Sequence, residues 1–330
     1  MRFLIAGLGS IGRRHLKNLL TLGQRDILLY RSKLSTLLDE ELDGFPMEVD
    51  LQRALAAKPD AVIISNPTAL HLDVAIPAAR TGCSLFLEKP ISNNMDRIPE
   101  LEKAVISGEG KVFMGFQFRF HPGLQKIRDL LKKKEIGRVI YVRCQWGEYL
   151  PGWHPWEDYR KGYSARSDLG GGVLLSLCHP IDYLHWLLGE IDQVTAFTGK
   201  LSDLEVEVDD TAEIMLRFIS GALGSLHLDF IQQPAQHFLE ITGAEGMIKW
   251  DNSDGVVHLY HNSTQQWEVF NLELGFERNE MFLNEMRHFV KVIEGNTQPL
   301  CSLQDGIFVQ RIAEIICRSS KAGSWIKYKL

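Results

Sequence analysis

Gly7-Leu8-Gly9-Ser10-Ile11-Gly12 constrains this chain more than any other run in it. The run follows a short apolar segment at residues 3–6. It opens a stretch, residues 11–22, whose apolar side chains recur at helical spacing. Glycines at these three places have separate physical uses. The first permits a tight turn, the second lets a pyrophosphate approach the backbone, and the third lets helix and strand pack closely. The helix behind them presents unpaired N–H groups and a partial positive charge to phosphate oxygens, which makes Ser10 and Ile11 candidate contacts beside Gly7, Gly9 and Gly12. A chain that begins this way is expected to build a parallel sheet around a dinucleotide.

The next hundred residues agree with that expectation. Apolar strand patterns at residues 27–30, 61–65, 84–87 and 111–115 alternate with helical patterns at 72–80 and 98–106. Such alternation marks βαβ units, and strands apolar at every position are covered by helices on both sheet faces. The pattern changes near residue 120. A helix at 124–131 and a long run at 138–148 lead into a segment rich in Trp, Tyr, Gly and Pro. An apolar helix at 173–188 follows, and successive strands from 191 to about 270 are separated by turn signals. Two helices, near 278–294 and 303–322, close the chain. The expected architecture is a doubly wound Rossmann domain at 1–120 and an α+β domain at 121–330 with an open, mostly antiparallel sheet.

Composition narrows the partners. With 36 Lys+Arg against 42 Asp+Glu, the net charge of −6 gives no basic stripe for nucleic acid. The five cysteines include no C-x-x-C pair, and His154 and His179 lack neighbours at metal-ligand spacing, so neither a disulfide framework nor a zinc site is expected. No long apolar run or leader pattern is found, which points to a cytoplasmic protein away from membranes.

The second strand bears on cofactor choice. It ends Leu28-Leu29-Tyr30-Arg31-Ser32-Lys33, without the carboxylate that holds a ribose 2′-hydroxyl. Arg31 can fork onto a 2′-phosphate and Ser32 can donate a hydroxyl, which favours NADP over NAD. Asn66-Pro67-Thr68 with His71, and Glu88-Lys89-Pro90, lie at the carboxyl ends of two further strands, where ligands of such sheets bind. Together with the glycine motif and His15, with Gln117-Phe118-Arg119-Phe120-His121-Pro122 and with Gly170-Gly171-Gly172…His179-Pro180-Ile181-Asp182, these runs resemble the Gfo/Idh/MocA family of glucose-fructose oxidoreductases and inositol dehydrogenases. The resemblance extends in order over most of the chain. It implies an NAD(P)-dependent oxidoreductase acting on a sugar or nucleotide-sugar hydroxyl or ketone. It further implies that Asn66, Pro67, His71 and Gln117 line the cofactor path, that Glu88 holds the nicotinamide ribose, and that Lys89 and His179 are catalytic. Asp182, one helical turn past His179, and Arg119 are then substrate contacts.

The residue types suit the reaction. Oxidising a carbinol removes a hydride, which a nicotinamide accepts, and a proton, which the protein must take. A lysine lowered from its ordinary value of about 10.4 by desolvation and a cationic neighbour can take it, and histidine titrates near neutrality. The sequence departs from the family at residues 175–178, Leu-Ser-Leu-Cys, where a carboxylate is common before the histidine. That departure supports one alternative, a cofactor-binding sensor without turnover, and the versatility of the fold supports another, a reductase of a non-sugar carbonyl. Cys178 reads as a small buried hydrophobe.

Trp153, Tyr159, Arg160 and Arg166 sit in an aromatic and basic segment suited to a polyhydroxylated or anionic substrate. Strands near 212–218 and 223–230 carry apolar residues at alternate positions. Such a face needs cover, so a homodimer or homotetramer through the second sheet is expected.

Overall fold

The structure, a computed structural model, describes residues 1–31 and 42–328. Ser32 lies outside the described residues. The chain forms two compact units, one of residues 1–117 with 278–310, the other of residues 118–277 with 311–330.

In the first unit the chain runs β1 (Arg2–Ala6), α1 (Ser10–Thr21), β2 (Asp26–Tyr30), β3 (Met47–Glu48), α2 (Leu51–Ala56), β4 (Ala61–Ile64), α3 (His71–Arg80), β5 (Ser84–Glu88), α4 (Ile98–Gly108) and β6 (Val112–Gly115). The strands form one parallel sheet in the order β3-β2-β1-β4-β5-β6. Val62, Ile63 and Ile64 of β4 and Leu85, Phe86 and Leu87 of β5 are wholly buried, as a sheet covered on both faces requires. The order turns back on itself between β1 and β4, which places the crevice of a doubly wound sheet above their carboxyl ends.

The second unit contains α5 (Pro122–Lys132), β7 (Val139–Gly147), α6 (Val173–Ser176), α7 (His179–Leu188), β8 (Ile191–Gly199), β9 (Thr211–Phe218), β10 (Leu223–Asp229), β11 (Gln236–Gly243), β12 (Gly246–Asp251), β13 (Val257–His261) and β14 (Gln266–Phe270). Then α8 (Arg278–Ile293) belongs to the first unit, α9 (Leu303–Ala322) begins there and ends in the second, and β15 (Ile326–Lys327) completes the second sheet. That sheet has the order β14-β13-β12-β11-β7-β10-β9-β8-β15. Among the described residues of this sheet only β7 and β10 pair in parallel.

Three expectations change. A single division near residue 120 leaves out the return of α8, whose Phe289 stands edge-on to Phe86 at 5.4 Å and near Phe113 at 5.9 Å. Lys111 also donates to the Val292 carbonyl at 2.9 Å. Sequence distance hid this, because an amphipathic helix does not say which sheet it will cover.

The expected continuous helix at 173–188 is two helices. Pro180 has no N–H for the Ser176 carbonyl, and its ring would collide with it, so α6 ends and α7 restarts at His179. The alternation in β9 and β10 also points the other way from the expectation. Ala212, Ile214, Leu216, Leu226 and Leu228 are covered within the unit, while Glu213, Met215, Arg217, Leu223, Ser225 and His227 form the open face. That face is mixed in polarity, with Met215 and Leu223 exposed among Glu213, Arg217, Ser225 and His227.

Candidate functional site

The glycine motif occupies the turn from β1 into α1. Gly7 has φ +94°, and a Cβ there would lie 2.3 Å from Asn66 N. A Cβ on Gly12 would lie 2.0 Å from the Gly7 carbonyl oxygen, so this helix can approach the turn only without a side chain. Gly9 is different, because a Cβ would meet nothing of the protein within 4 Å. The protein's own packing does not require a glycine at that position, whereas a ligand lying against the backbone would. The first turn of α1 carries no carboxylate to oppose a phosphate.

Two further turns complete this edge of the sheet. After β4, the Ser65 hydroxyl donates to the Gly7 carbonyl at 2.9 Å, and Asn66 Nδ2 donates to the Leu70 carbonyl at 2.9 Å. Asn66 Oδ1 is shielded and meets no donor among the described residues. An acceptor left in that state fits a ligand hydroxyl. After β5, Glu88 is buried and places Oε1 2.7 Å from His15 Nε2, while its Oε2 accepts from Lys89 N at 3.2 Å. Gly115, opposite Glu88 on β6, leaves room for the carboxylate. Lys89 is half-buried and Pro90 buried. Pro67 is half-buried, and Gln117 is buried at the last residue of the first unit.

His71 is buried, with Nδ1 2.9 Å from the Pro90 carbonyl and Nε2 2.9 Å from the Asn66 carbonyl. Burial pushes this imidazole below its ordinary pKa, Glu88 and the two carbonyls oppose that, and Lys89 adds to it. Arg31 is buried at the end of β2, its backbone N–H donating to the Glu48 carbonyl at 3.2 Å.

In the second unit His179 opens α7 and is buried in an aromatic setting. Phe118 stands edge-on to it at 5.2 Å, and Trp146 lies nearly parallel at 5.6 Å. Trp146 also stacks on His237 at 4.3 Å. Behind them the Tyr183 hydroxyl lies 2.9 Å from Cys144 Sγ and 3.1 Å from His237 Nε2. Burial pushes the Cys144 thiol up to about 12 and Tyr183 well above the usual phenol value, so both stay protonated near neutrality.

Asp182 and Arg119 are directed at each other, and Arg119 NH2 lies 2.6 Å from Asp182 Oδ1, with side chains 3% and 1% exposed. The two residues, expected as substrate contacts, form a buried ion pair between α7 and the 117–120 turn. Cys178 is fully buried.

The aromatic and basic segment folds as short 3-10 turns. Trp153 packs edge-on to Phe230 at 5.5 Å, and the Tyr159 hydroxyl accepts from Glu205 N at 3.1 Å. Arg160 forks onto Asp158 and reaches Glu205 at 2.6 Å, while Arg166 forks onto Asp168. The basic lining expected from these two arginines is therefore neutralised by local carboxylates. Sequence reading had the arginines but not their partners, of which Glu205 lies 45 residues away.

It also gave no role to His15, Trp146 or His237. A signal for His15 existed, since it follows Gly12 by three residues on the helix face that packs against the sheet.

Comparison with known proteins bears on the family and the fold. Residues 1–116 match the model of the oxidoreductase family with an NAD-binding Rossmann fold, and residues 124–249 match the GFO/IDH/MocA C-terminal domain. The chain is 27% identical to myo-inositol 2-dehydrogenase of Thermotoga maritima over 324 residues, covering 93% of this chain and 92% of that protein. It resembles levoglucosan dehydrogenase in complex with NADH at a TM-score of 0.90 and 21% identity, over 100% of this chain and 99% of that one. It also resembles the WlbA dehydrogenase of Bordetella pertussis in complex with NADH and UDP-GlcNAcA at 0.83 and 22%, with the same coverage. With both its domains matched by models of that family, the chain belongs to the GFO/IDH/MocA family of oxidoreductases.

Proposed function

We propose that this protein interconverts a hydroxyl and a ketone on a sugar or nucleotide sugar, with a nicotinamide dinucleotide as hydride carrier. The observation that carries the reading is the carboxyl edge of the first sheet. There an uncrowded Gly9, a shielded acceptor at Asn66 Oδ1 and Lys89 stand on three adjacent turns. The substrate class is supported by relatives named for inositol and levoglucosan and by a similar structure holding UDP-GlcNAcA.

The residues present fit the cofactor. Gly7, Gly9 and Gly12 would admit its pyrophosphate, with the N–H groups of Ser10 and Ile11 at the helix start. Asn66, Pro67, His71 and Gln117 would line its further path. When bound, the nicotinamide accepts or returns the hydride. Lys89 takes the hydroxyl proton in oxidation and returns it in reduction. His179, enclosed by Phe118 and Trp146, is the second acid–base candidate. Trp153 and Tyr159 offer faces to the sugar. Glu88, directed at His15 and Lys89 N, serves the ribose through the acceptor capacity those two bonds leave.

NADP is the preferred form in this reading, because Arg31 follows β2 and no carboxylate stands at positions 30–33. A homo-oligomer assembles through the open face of the second sheet, where Phe197, Met215 and Leu223 are exposed among polar neighbours. Among the described residues no helix is long and apolar enough to cross a membrane, and the five free cysteines suit a reducing cytoplasm. A panel of sugars and nucleotide sugars, assayed with NADP and NAD by nicotinamide absorbance, tests the function. Turnover on a member of the panel is expected, faster with NADP, and Arg31→Ala should reduce that preference. Equal use of both cofactors before and after the substitution would remove the assignment of Arg31.

A further inference from the structure

Lys89 stands between two residues that are each tied to a buried histidine. On its amino side, Glu88 places Oε1 2.7 Å from His15 Nε2, and the other carboxylate oxygen accepts the Lys89 N–H. On its carboxyl side, the Pro90 carbonyl lies 2.9 Å from His71 Nδ1. The far nitrogen of the same ring reaches the Asn66 carbonyl at 2.9 Å. His15 is 0% exposed and His71 1%. His15 comes from the helix that the glycine motif opens, and its ring is fixed edge-on against Phe86 at 4.7 Å. His71 opens α3 and leans back over the Asn66 turn.

These contacts lie across 73, 19 and 5 residues of sequence, and they join the three turns of one sheet edge through two imidazoles. We propose that His15 and His71 are positioning residues for Lys89, holding its backbone from both sides and coupling it to the glycine turn and the Asn66 turn.

The demand for such a device follows from the chemistry of lysine. Its long side chain has many rotamers and can reach many places. An acid or base acts only within hydrogen-bond reach of its proton, and a displacement of about 1 Å can cost about a hundredfold in rate. Fixing the Cα from both sides removes the backbone's share of such displacement. Imidazole suits the task because it is short, rigid and bifunctional. A carbonyl oxygen only accepts, so a neutral His71 ring donates to one of its two carbonyls and an imidazolium donates to both.

The proposal rests on Lys89 being the catalytic lysine only for what the positioning is used for, so its test reads the lysine directly. Protein labelled with 13Cε-lysine is followed by NMR, with the Lys89 signal assigned by its loss in Lys89→Arg. In wild type this signal should stand apart in chemical shift from those of surface lysines. In His15→Ala and His71→Ala it should move toward the surface-lysine group. His15→Gln and His71→Gln, whose amides can still donate one hydrogen bond, should restore it in part. Where an alanine variant fails to fold by circular dichroism, His15→Asn and His71→Asn, polar but shorter, are read in the same way. A merely structural role would lower the melting temperature and leave the Lys89 signal in place. That result in variants of both histidines would overturn the proposal. Turnover retained in Lys89→Met would instead refute the catalytic reading and leave these signals as evidence on positioning.

Discussion

The second unit holds charged pairs that look alike in sequence and differ in setting. Arg119 and Asp182 are 3% and 1% exposed, and they bridge a turn and a helix 63 residues apart. Arg160, 52% exposed, forks onto Asp158 two residues away and onto Glu205. His227 stands between these cases, 27% exposed, with Nδ1 2.5 Å from Glu213 and Nε2 2.9 Å from buried Asp229. The same charge complementarity does different things according to access of water. Where water is excluded, a lone charge is intolerable and the pair fixes the fold. Where water is present, the pair mainly uses up charge that would otherwise be open to a ligand.

The largest effect is expected at the buried pair. Asp182→Ala leaves Arg119 charged and buried, and should cost about 3–5 kcal/mol in denaturant unfolding, as for other buried pairs broken at one partner. A loss within error would mean that the pair is hydrated and no different from the exposed one. Next, Gly9→Ala should leave stability equal or slightly higher, by up to ~1 kcal/mol. NADH affinity should fall about tenfold or more, a loss of about 1.4 kcal/mol. Unchanged affinity would show that no ligand lies against that backbone. This glycine sharpens the comparison, because its cost falls on the ligand and not on the fold.

The half-buried case should show itself through pH. The hydrogen bond to Asp229, and the contact with Glu213, raise His227 above its ordinary pKa against the opposing effect of burial. A raised folded-state pKa stabilises the protein fully below the unfolded value of about 6.5 and loses that stabilisation as pH rises through the folded value. His227→Gln should therefore destabilise most in mild acid and least above the folded pKa. A difference that is constant with pH would assign the effect to packing. The smallest effect is expected for Arg160→Gln, with no resolvable change in melting temperature. A clear drop would show that the segment depends on this pair as the core depends on Arg119.

Much of the fold was legible in the sequence because it is written at short range. Apolar runs flanked by helical spacing gave the parallel sheet, and the glycine run with Glu-Lys-Pro gave the edge at which ligands bind. The unread parts are contacts between residues distant in sequence. The pairing of His15 with Glu88, of Arg119 with Asp182 and of Arg160 with Glu205 has no periodicity to reveal it. The break before His179 was available locally, since Pro180 forbids a continuous helix, but the strongly apolar run around it hid the signal. The inward direction of Ile214 and Leu216 could not be read because alternation gives two faces without saying which one is covered.

The account turns on Lys89 as the acid and base of a nicotinamide-dependent reaction. The most direct measurement compares wild type with Lys89→Met for NADH and NADPH binding and for turnover on the most active sugar of the panel. The account predicts unchanged cofactor affinity with a loss of turnover of at least about a hundredfold, the scale of general acid–base catalysis. Turnover at the wild-type rate in Lys89→Met would contradict it.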